Sequence, residues 1–291
     1  KLRSLINVPL FFNPVWLHQM AKVIRTYHID VIHIHDLPLM LSGIILGKFY
    51  RLPAIFDVHE NYPAALKLWW KKNLSHFLFR NPGFAKVLEN ICVRFADKII
   101  VVAPEHKNTF IKVNVDPARI HVVENTVEND SYTHIRIHQE IVQLYKSFFT
   151  LGYVGKFGTE RSLDTAIVGV KLLRQHIPNL KLILVGDGVN TSQLKELAAK
   201  EGVGDLVDFI GWVDFELTPS YIDACDVCIV PQSANELIDN GVPHKLFQYM
   251  ALGKPVVVSD SKALARIVSE SRCGEIFQSN SSALLLSFPA I

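Results

Sequence analysis

The chain has 291 residues, 49% of them hydrophobic, and a formal charge of +2 at pH 7. That length and apolar content suffice for two domains, each with its own core, and exclude long disordered stretches. So mild a charge gives no argument for nucleic acid as a partner, because that normally calls for a concentrated basic stripe, and any basic function must be local.

No apolar run reaches the roughly 18 residues needed to span a bilayer. Leu37 to Leu46 is the nearest, and Pro38 and Ser42 interrupt it. The N-terminus lacks a signal-peptide pattern. Four cysteines, Cys92, Cys225, Cys228 and Cys273, are too few and too scattered for a disulfide framework, so a reducing cytoplasm is expected. Cys225 and Cys228 have metal-knuckle spacing but sit in an apolar run with no second pair, which favours buried strand residues over a zinc site.

Apolar runs of strand length alternate with segments of helical period, the pattern of parallel α/β domains. In the first half, strands are expected at Asp30–His35, Pro53–Val58, Lys98–Ala103 and Ile120–Glu124, with helices near Trp16–Tyr27 and Val87–Ala96. In the second half, strands are expected at Phe149–Val154, Lys181–Val185, Val207–Ile210, Val227–Val230 and Pro255–Val258. The polar stretch Glu128–Lys146 is the candidate connection, giving an N-terminal domain over 1–137 and a C-terminal one over 148–291. Open parallel sheets bind ligands beyond the carboxyl ends of their strands, where the strand order reverses, and two such sheets facing one another make a cleft. The first half is short for a doubly wound domain. With the start at Lys1 and the end at SFPAI, this suggests a fragment whose N-terminal domain is incomplete.

The strongest local signal opens the second half, at Tyr153-Val-Gly-Lys-Phe-Gly-Thr-Glu-Arg-Ser-Leu-Asp164. A strand runs into a loop with Gly155 and Gly158, then into an amphipathic helix. The glycines allow close backbone approach, and Lys156 with Arg161 can neutralise a diphosphate near the helix N-terminus. A surface turn with two solvated cations is the bland alternative. Gly186-Asp-Gly188 and Phe209-Ile-Gly-Trp-Val213 leave two further strands, each a weak signal alone. Neither the spaced glycines of dinucleotide enzymes nor a Gly-Lys-Ser/Thr phosphate loop is present, which disfavours hydride transfer and NTP hydrolysis.

The run from Pro231 to Asp260, PQSANELIDNGVPHKLFQYMALGKPVVVSD, makes the pattern specific. It resembles the donor-site signature of the retaining glycosyltransferases of family 4. The resemblance spans nearly the whole chain and includes versions from enzymes of bacterial surface polysaccharides, where Lys245, Leu246, Phe247 and Tyr249 are at home. It implies the α/β GT-B fold, two Rossmann-like parallel-sheet domains facing a cleft. The implied reaction moves a sugar from a nucleotide diphosphate sugar, most commonly a UDP-sugar, to a glycan or lipid-linked acceptor with retention. The nucleotide sugar is a co-substrate, and no further cofactor and no metal are implied. Asp223-Ala-Cys-Asp226 has the wrong spacing for a metal motif.

Carried over position by position, the resemblance puts Gly155, Lys156, Arg161 and Gly186 around the donor diphosphate and Gly211 and Trp212 beside the base. Asn240, Gly241 and Val242 fall at the donor sugar, with Asn240 near the reacting carbon. Gln248 falls where the family holds the ribose hydroxyls. Asn240 and Gln248 stand where the family has glutamates. An amide still hydrogen-bonds sugar hydroxyls but brings no charge to an oxocarbenium-like transition state. Pro243 removes a backbone N–H from a phosphate-binding loop, for which His244 and Lys245 can compensate. In the first half, His33-Ile-His35-Asp36 and Asp57-Val-His59-Glu60 resemble the acceptor-side histidine motifs. The resemblance implies that His59 faces the donor sugar, with His35, Asp57 and Glu60 beside it. The family's glycine-rich loop after its first strand and its returning C-terminal helix are not found.

Leu66–Arg80 carries four cations, four aromatics and no carboxylate, a composition suited to peripheral contact at the inner face of an anionic membrane. A surface helix with buried aromatics is the alternative. Two other functions stay open: a sugar-nucleotide-binding or scaffold relative without catalysis, supported by the two amides, and a GT-B sugar-nucleotide epimerase, which should use carboxylates as acid and base.

Overall fold

The computed structural model describes residues 12–68, 80–127 and 135–279. Most of Leu66–Arg80 and the first part of the candidate connection lie outside the described residues. The chain divides into two compact units, Lys1–Glu124 and Asn125–Ile291.

The first unit is a parallel sheet of β1 (Ile32–His35), β2 (Ala54–Val58), β3 (Lys98–Val101) and β4 (Ile120–Val122), in that spatial order. Register pairs Ile32 with Ala54 and His35 with Asp57. Buried Ile34, Phe56, Val58, Ile99 and Val101 supply the sheet's share of the core. The helix Pro14–Tyr27 starts where Asn13 Oδ1 accepts the N–H groups of Val15 and Trp16 at 3.0 and 3.4 Å. Leu37–Tyr50, which reads in the sequence only as a broken membrane run, is a helix. Pro38 sits in its first turn, where its missing N–H has no intrahelical partner to lose. A Cβ at Gly43 would come within 2.5 Å of the Ile34 side chain, so the helix packs directly on β1. The expected helix Val87–Ala96 runs instead over Pro82–Cys92, set by the Asn81 cap that accepts the Phe84 N–H at 3.0 Å.

The second unit has six parallel strands: β5 (Phe149–Val154), β6 (Leu180–Val185), β7 (Val207–Gly211), β8 (Val227–Val230), β9 (Val256–Ser259) and β10 (Gly274–Phe277). Their spatial order is β10-β9-β8-β5-β6-β7. The chain therefore builds outward from β5 to one side, then returns to pair β8 against β5 and builds to the other. The order reverses between β5 and β8, so the loops leaving these two strands meet at the ligand-binding crevice of a doubly wound sheet. Tight packing holds that junction, since a Cβ on Gly152 would lie 2.1 Å from Cys225 Sγ. Cys225 and Cys228 are both buried, before and within β8. Part of the stretch read as a connection is a helix of this unit, Gln139–Tyr145, which buries Ile141 and Tyr145.

Candidate functional site

At the end of β5 the chain turns through Gly155, φ +134°, whose N–H donates to Val185 O at 2.9 Å. The parallel turn after β6 runs alongside: Phe157 N–H donates to Asp187 O at 2.9 Å, and Gly186 N–H to Gly211 O at 2.8 Å. A Cβ at Gly186, φ +130°, would stand 2.0 Å from Gly155 O, so glycine is required there for both space and dihedral. Buried Phe157 anchors the loop. The loop thus leaves β5 as a rigid shelf with Lys156 exposed on it.

Arg161 closes the shelf in a short 3-10 turn, its N–H donating to Gly158 O at 3.1 Å. Its Nε lies 3.3 Å from Glu160 Oε1, a pairing of chain neighbours that the spacing of the two cations does not reveal. Ser162 Oγ and Ser233 Oγ hydrogen-bond, tying this loop to the one that leaves β8.

A second tie comes from the helix His244–Ala251. Buried Tyr249 accepts the Val154 N–H on its hydroxyl at 2.9 Å, and Tyr153 OH donates to Lys156 O at 2.9 Å. Lys245 Nζ lies 3.5 Å from the centre of the Tyr153 ring, and a Cβ on Gly155 would be 2.7 Å from that nitrogen. Burial, and next the repulsion of Arg161, holds the Lys245 ammonium well below its ordinary range, while Glu160 opposes the shift. Lys245, Lys156 and Arg161 thus belong to one shelf. The helix that carries Lys245 follows Pro243 without a side-chain cap, which leaves first-turn N–H groups for a ligand.

The loop from Pro231 to Pro243 folds on Asn235, whose Oδ1 accepts the N–H groups of Leu237 and Ile238 at 3.0 and 3.1 Å. Asn240 follows in the 3-10 turn Ile238–Asn240, and its Nδ2 donates to Glu236 O at 2.8 Å. Gly241 is extended, and buried Val242 offers its carbonyl to Asn125 Nδ2 at 2.8 Å. His244 is exposed, Gln248 is half-buried, Gly211 has φ +83°, and Trp212 after it is 77% exposed. Asp223 and Asp226 are committed elsewhere: Asp223 pairs with Lys254 at 3.1 Å, and Asp226 Oδ2 accepts from the Thr150 backbone and hydroxyl at 2.7 and 2.9 Å.

In the first unit, His33 and His35 stand two residues apart on β1 and project from the same face. Asp57 on β2 is in register with His35, and His59 follows just beyond the strand. Asp57 Oδ2 lies 3.0 Å from His33 Nε2, 3.6 Å from His35 Nδ1 and 3.3 Å from His59 Nε2. His35 Nδ1 and His59 Nε2 are 2.9 Å apart, a hydrogen-bond distance. Asp36 at φ +57° accepts the His59 N–H on Oδ1 at 3.1 Å. Burial outweighs the hydrogen bonds from the backbone of His59 and Glu60 and raises the Asp36 carboxyl. His35, Asp57, His59 and Glu60 are therefore neighbours, and His33 joins them as a member to which the motifs assign no role. No helix among the described residues is long and apolar enough to cross a membrane.

Two adjoining families match the chain. Residues 135–286 match Glycosyl transferases group 1, and residues 4–131 match Glycosyltransferase Family 4. Alpha-monoglucosyldiacylglycerol synthase of Streptococcus pneumoniae is 22% identical over 270 residues, covering 88% of this chain and 57% of that protein. Amylovoran biosynthesis glycosyltransferase AmsK of Erwinia amylovora is 26% identical over 266 residues, covering 86% and 64%. The chain thus spans less than two thirds of either relative. Among solved structures, Anabaena Alr3699/HepE in complex with UDP-glucose superposes with a TM-score of 0.71 at 19% identity, covering 92% of this chain and 70% of that one. The two parallel-sheet units have the GT-B fold.

Proposed function

The chain belongs to the glycosyl transferases group 1 family, and we propose that it moves a hexosyl group from a UDP-sugar to a glycan or lipid-linked acceptor with retention of configuration. The observation that carries this reading is the shelf at the reversal of the second sheet, where Lys156, Arg161 and Lys245 meet narrow glycine turns and an uncapped helix start. A diphosphate there replaces Glu160 as the partner of Arg161, with charge-assisted hydrogen bonds that strengthen as the leaving group gains charge. Gly155 and Gly186 let the phosphates approach the backbone, and Gly211 and Trp212 flank the base. Asn240, Gly241 and Val242 border the sugar, Gln248 holds the ribose, and His244 adds a donor. The second unit, Asn125–Ile291, is the donor side. The first, Lys1–Glu124, is the acceptor side, with His59 positioning the acceptor hydroxyl and His35, Asp57 and Glu60 supporting it.

The UDP-glucose held by the Anabaena protein supports the choice of donor. The names of the diacylglycerol and amylovoran enzymes support lipid and polysaccharide acceptors. Peripheral membrane contact through Leu66–Arg80 rests on the cationic and aromatic composition of that segment. A second reading, donor binding without transfer, is favoured by one observation: the amide of Asn240 is engaged by its own loop at Glu236 O.

Transfer of radiolabelled sugar from UDP-, GDP- and ADP-glucose to lipid and oligosaccharide acceptors tests the proposal. Arg161→Ala should lower turnover on the order of 10²- to 10³-fold with the unfolding curve unchanged. An unchanged rate would overturn the donor-loop assignment, and tight binding without turnover would select the second reading.

A further inference from the structure

We propose that His33, His35 and Asp57 form a binding site for a divalent transition metal ion of zinc type, with His59 at its open side. Alternate residues of neighbouring parallel strands project from one face, and register sets His35 beside Asp57. The motifs His33-Ile-His35 and Asp57-Val-His59 therefore bring three ligating side chains together on one face of the sheet, with His59 just past the end of β2. His33, His35 and Asp57 each offer a donor atom, and all three atoms lie within 4.8 Å of one another.

The spacing fits an ion. Zinc takes ligands at about 2.0–2.1 Å, so tetrahedral geometry sets neighbouring donors about 3.3 Å apart. Around Asp57 Oδ2 the three imidazole nitrogens stand at 3.0, 3.6 and 3.3 Å, and His35 Nδ1 stands 2.9 Å from His59 Nε2. Stacking holds the rings at this spacing, with centroids 4.5 Å apart for His33 and His35 and 5.1 Å for His35 and His59. Two imidazoles and one carboxylate suit zinc, nickel or cobalt better than magnesium or calcium, which favour oxygen. The ligand side chains of His33 and His35 are 44% and 58% exposed while Asp57 is 11%, so the site is open to an ion and to a completing water. The site shares His35, Asp57 and His59 with the acceptor side of the proposed function, but ion binding is read without donor or acceptor, so its failure is distinguishable from a failure of that reading.

The test is titration of the full chain, without a histidine tag and stripped with chelator, by Zn²⁺ in a calorimeter and by Co²⁺ in the visible spectrum. We expect one ion per chain and a Co²⁺ spectrum lacking thiolate charge-transfer absorption, which separates this site from the cysteines. His33→Ala and Asp57→Asn should each weaken binding roughly tenfold or more, while His176→Ala should not. Circular dichroism and unfolding curves check that the variants fold. Should a variant fail to fold, loss of Zn²⁺ binding on diethylpyrocarbonate modification of the wild type, with the modified histidines mapped to 33 and 35, gives the same information. No ion bound, binding that survives both substitutions, or a thiolate spectrum would each overturn the proposal. In that case the four side chains are only a hydrogen-bonded cluster.

Discussion

The two units solve opposite problems with the same kind of sheet. In the second, a reversal of strand order brings two loops together, and backbone contacts and buried side chains fix them: Gly186 against Gly155, Tyr249 under Val154, Lys245 over Tyr153. In the first, the described strands run in simple sequence, and chemistry sits in exposed side chains on the sheet face, His33, His35 and His59 around Asp57. The contrast teaches where each site is vulnerable. A loop site fails when its scaffold shifts, whereas a face site fails only when its own side chains change.

The sharpest way to break this comparison is Gly186→Ala. Its Cβ meets Gly155 O and its φ of +130° disfavours any side chain, so a stability loss on the order of 3 kcal/mol and loss of nucleotide binding together are expected. Denaturant unfolding with and without nucleotide measures both. The equivalent backbone-neutral change in the first unit, His35→Ala, should leave global stability within about 0.5 kcal/mol.

Acid should separate the units next. Burial, and then Lys86, lowers the His106 imidazole to about 4, and its Nδ1 has no hydrogen-bond partner. Because the folded state resists the proton that the unfolded state accepts near 6.5, the stability from neutral His106 is complete above that pH. It is lost as pH falls from about 6.5 to about 4, by roughly 3 kcal/mol in all. Buried Glu89, paired with Lys86 at 2.8 Å, is raised by burial and acts in the opposite sense. The difference between wild type and His106→Phe across pH 4–7 therefore isolates the histidine, and a pH-independent difference would contradict this account. A smaller loss is expected from Tyr249→Phe, which strands the Val154 N–H and should cost about 1–2 kcal/mol by thermal unfolding.

How much of this was legible in the sequence follows from the same physics. Branched apolar runs such as Phe149–Val154 and Val227–Val230 announce buried parallel strands, and β5 and β8 lie where those runs place them. Leu37–Tyr50 escaped because a helix apolar on every side has no period to read. β10 escaped because its four residues, Gly274–Phe277, are mostly part-exposed and carry Glu275. Of the shelf's cations, Lys156 and Arg161 were nameable from spacing and Lys245 from the family resemblance, but their ties were not. The Lys245–Tyr153 contact depends on β5 and the helix His244–Ala251 being neighbours, and that is set by strand order. The convergence of His33 on Asp57 likewise needs the β1–β2 register, which no single motif encodes.

The most direct measurement of the central claim is a thermal-shift series of UDP-, GDP- and ADP-sugars on the wild-type chain and on Arg161→Ala. The account predicts that a UDP-sugar at about a hundred times its Kd raises the wild-type Tm by roughly 5–10 °C, and that the variant loses most of that shift. An equal shift in both proteins, or none with any nucleotide sugar, would contradict a donor site on the second unit's shelf.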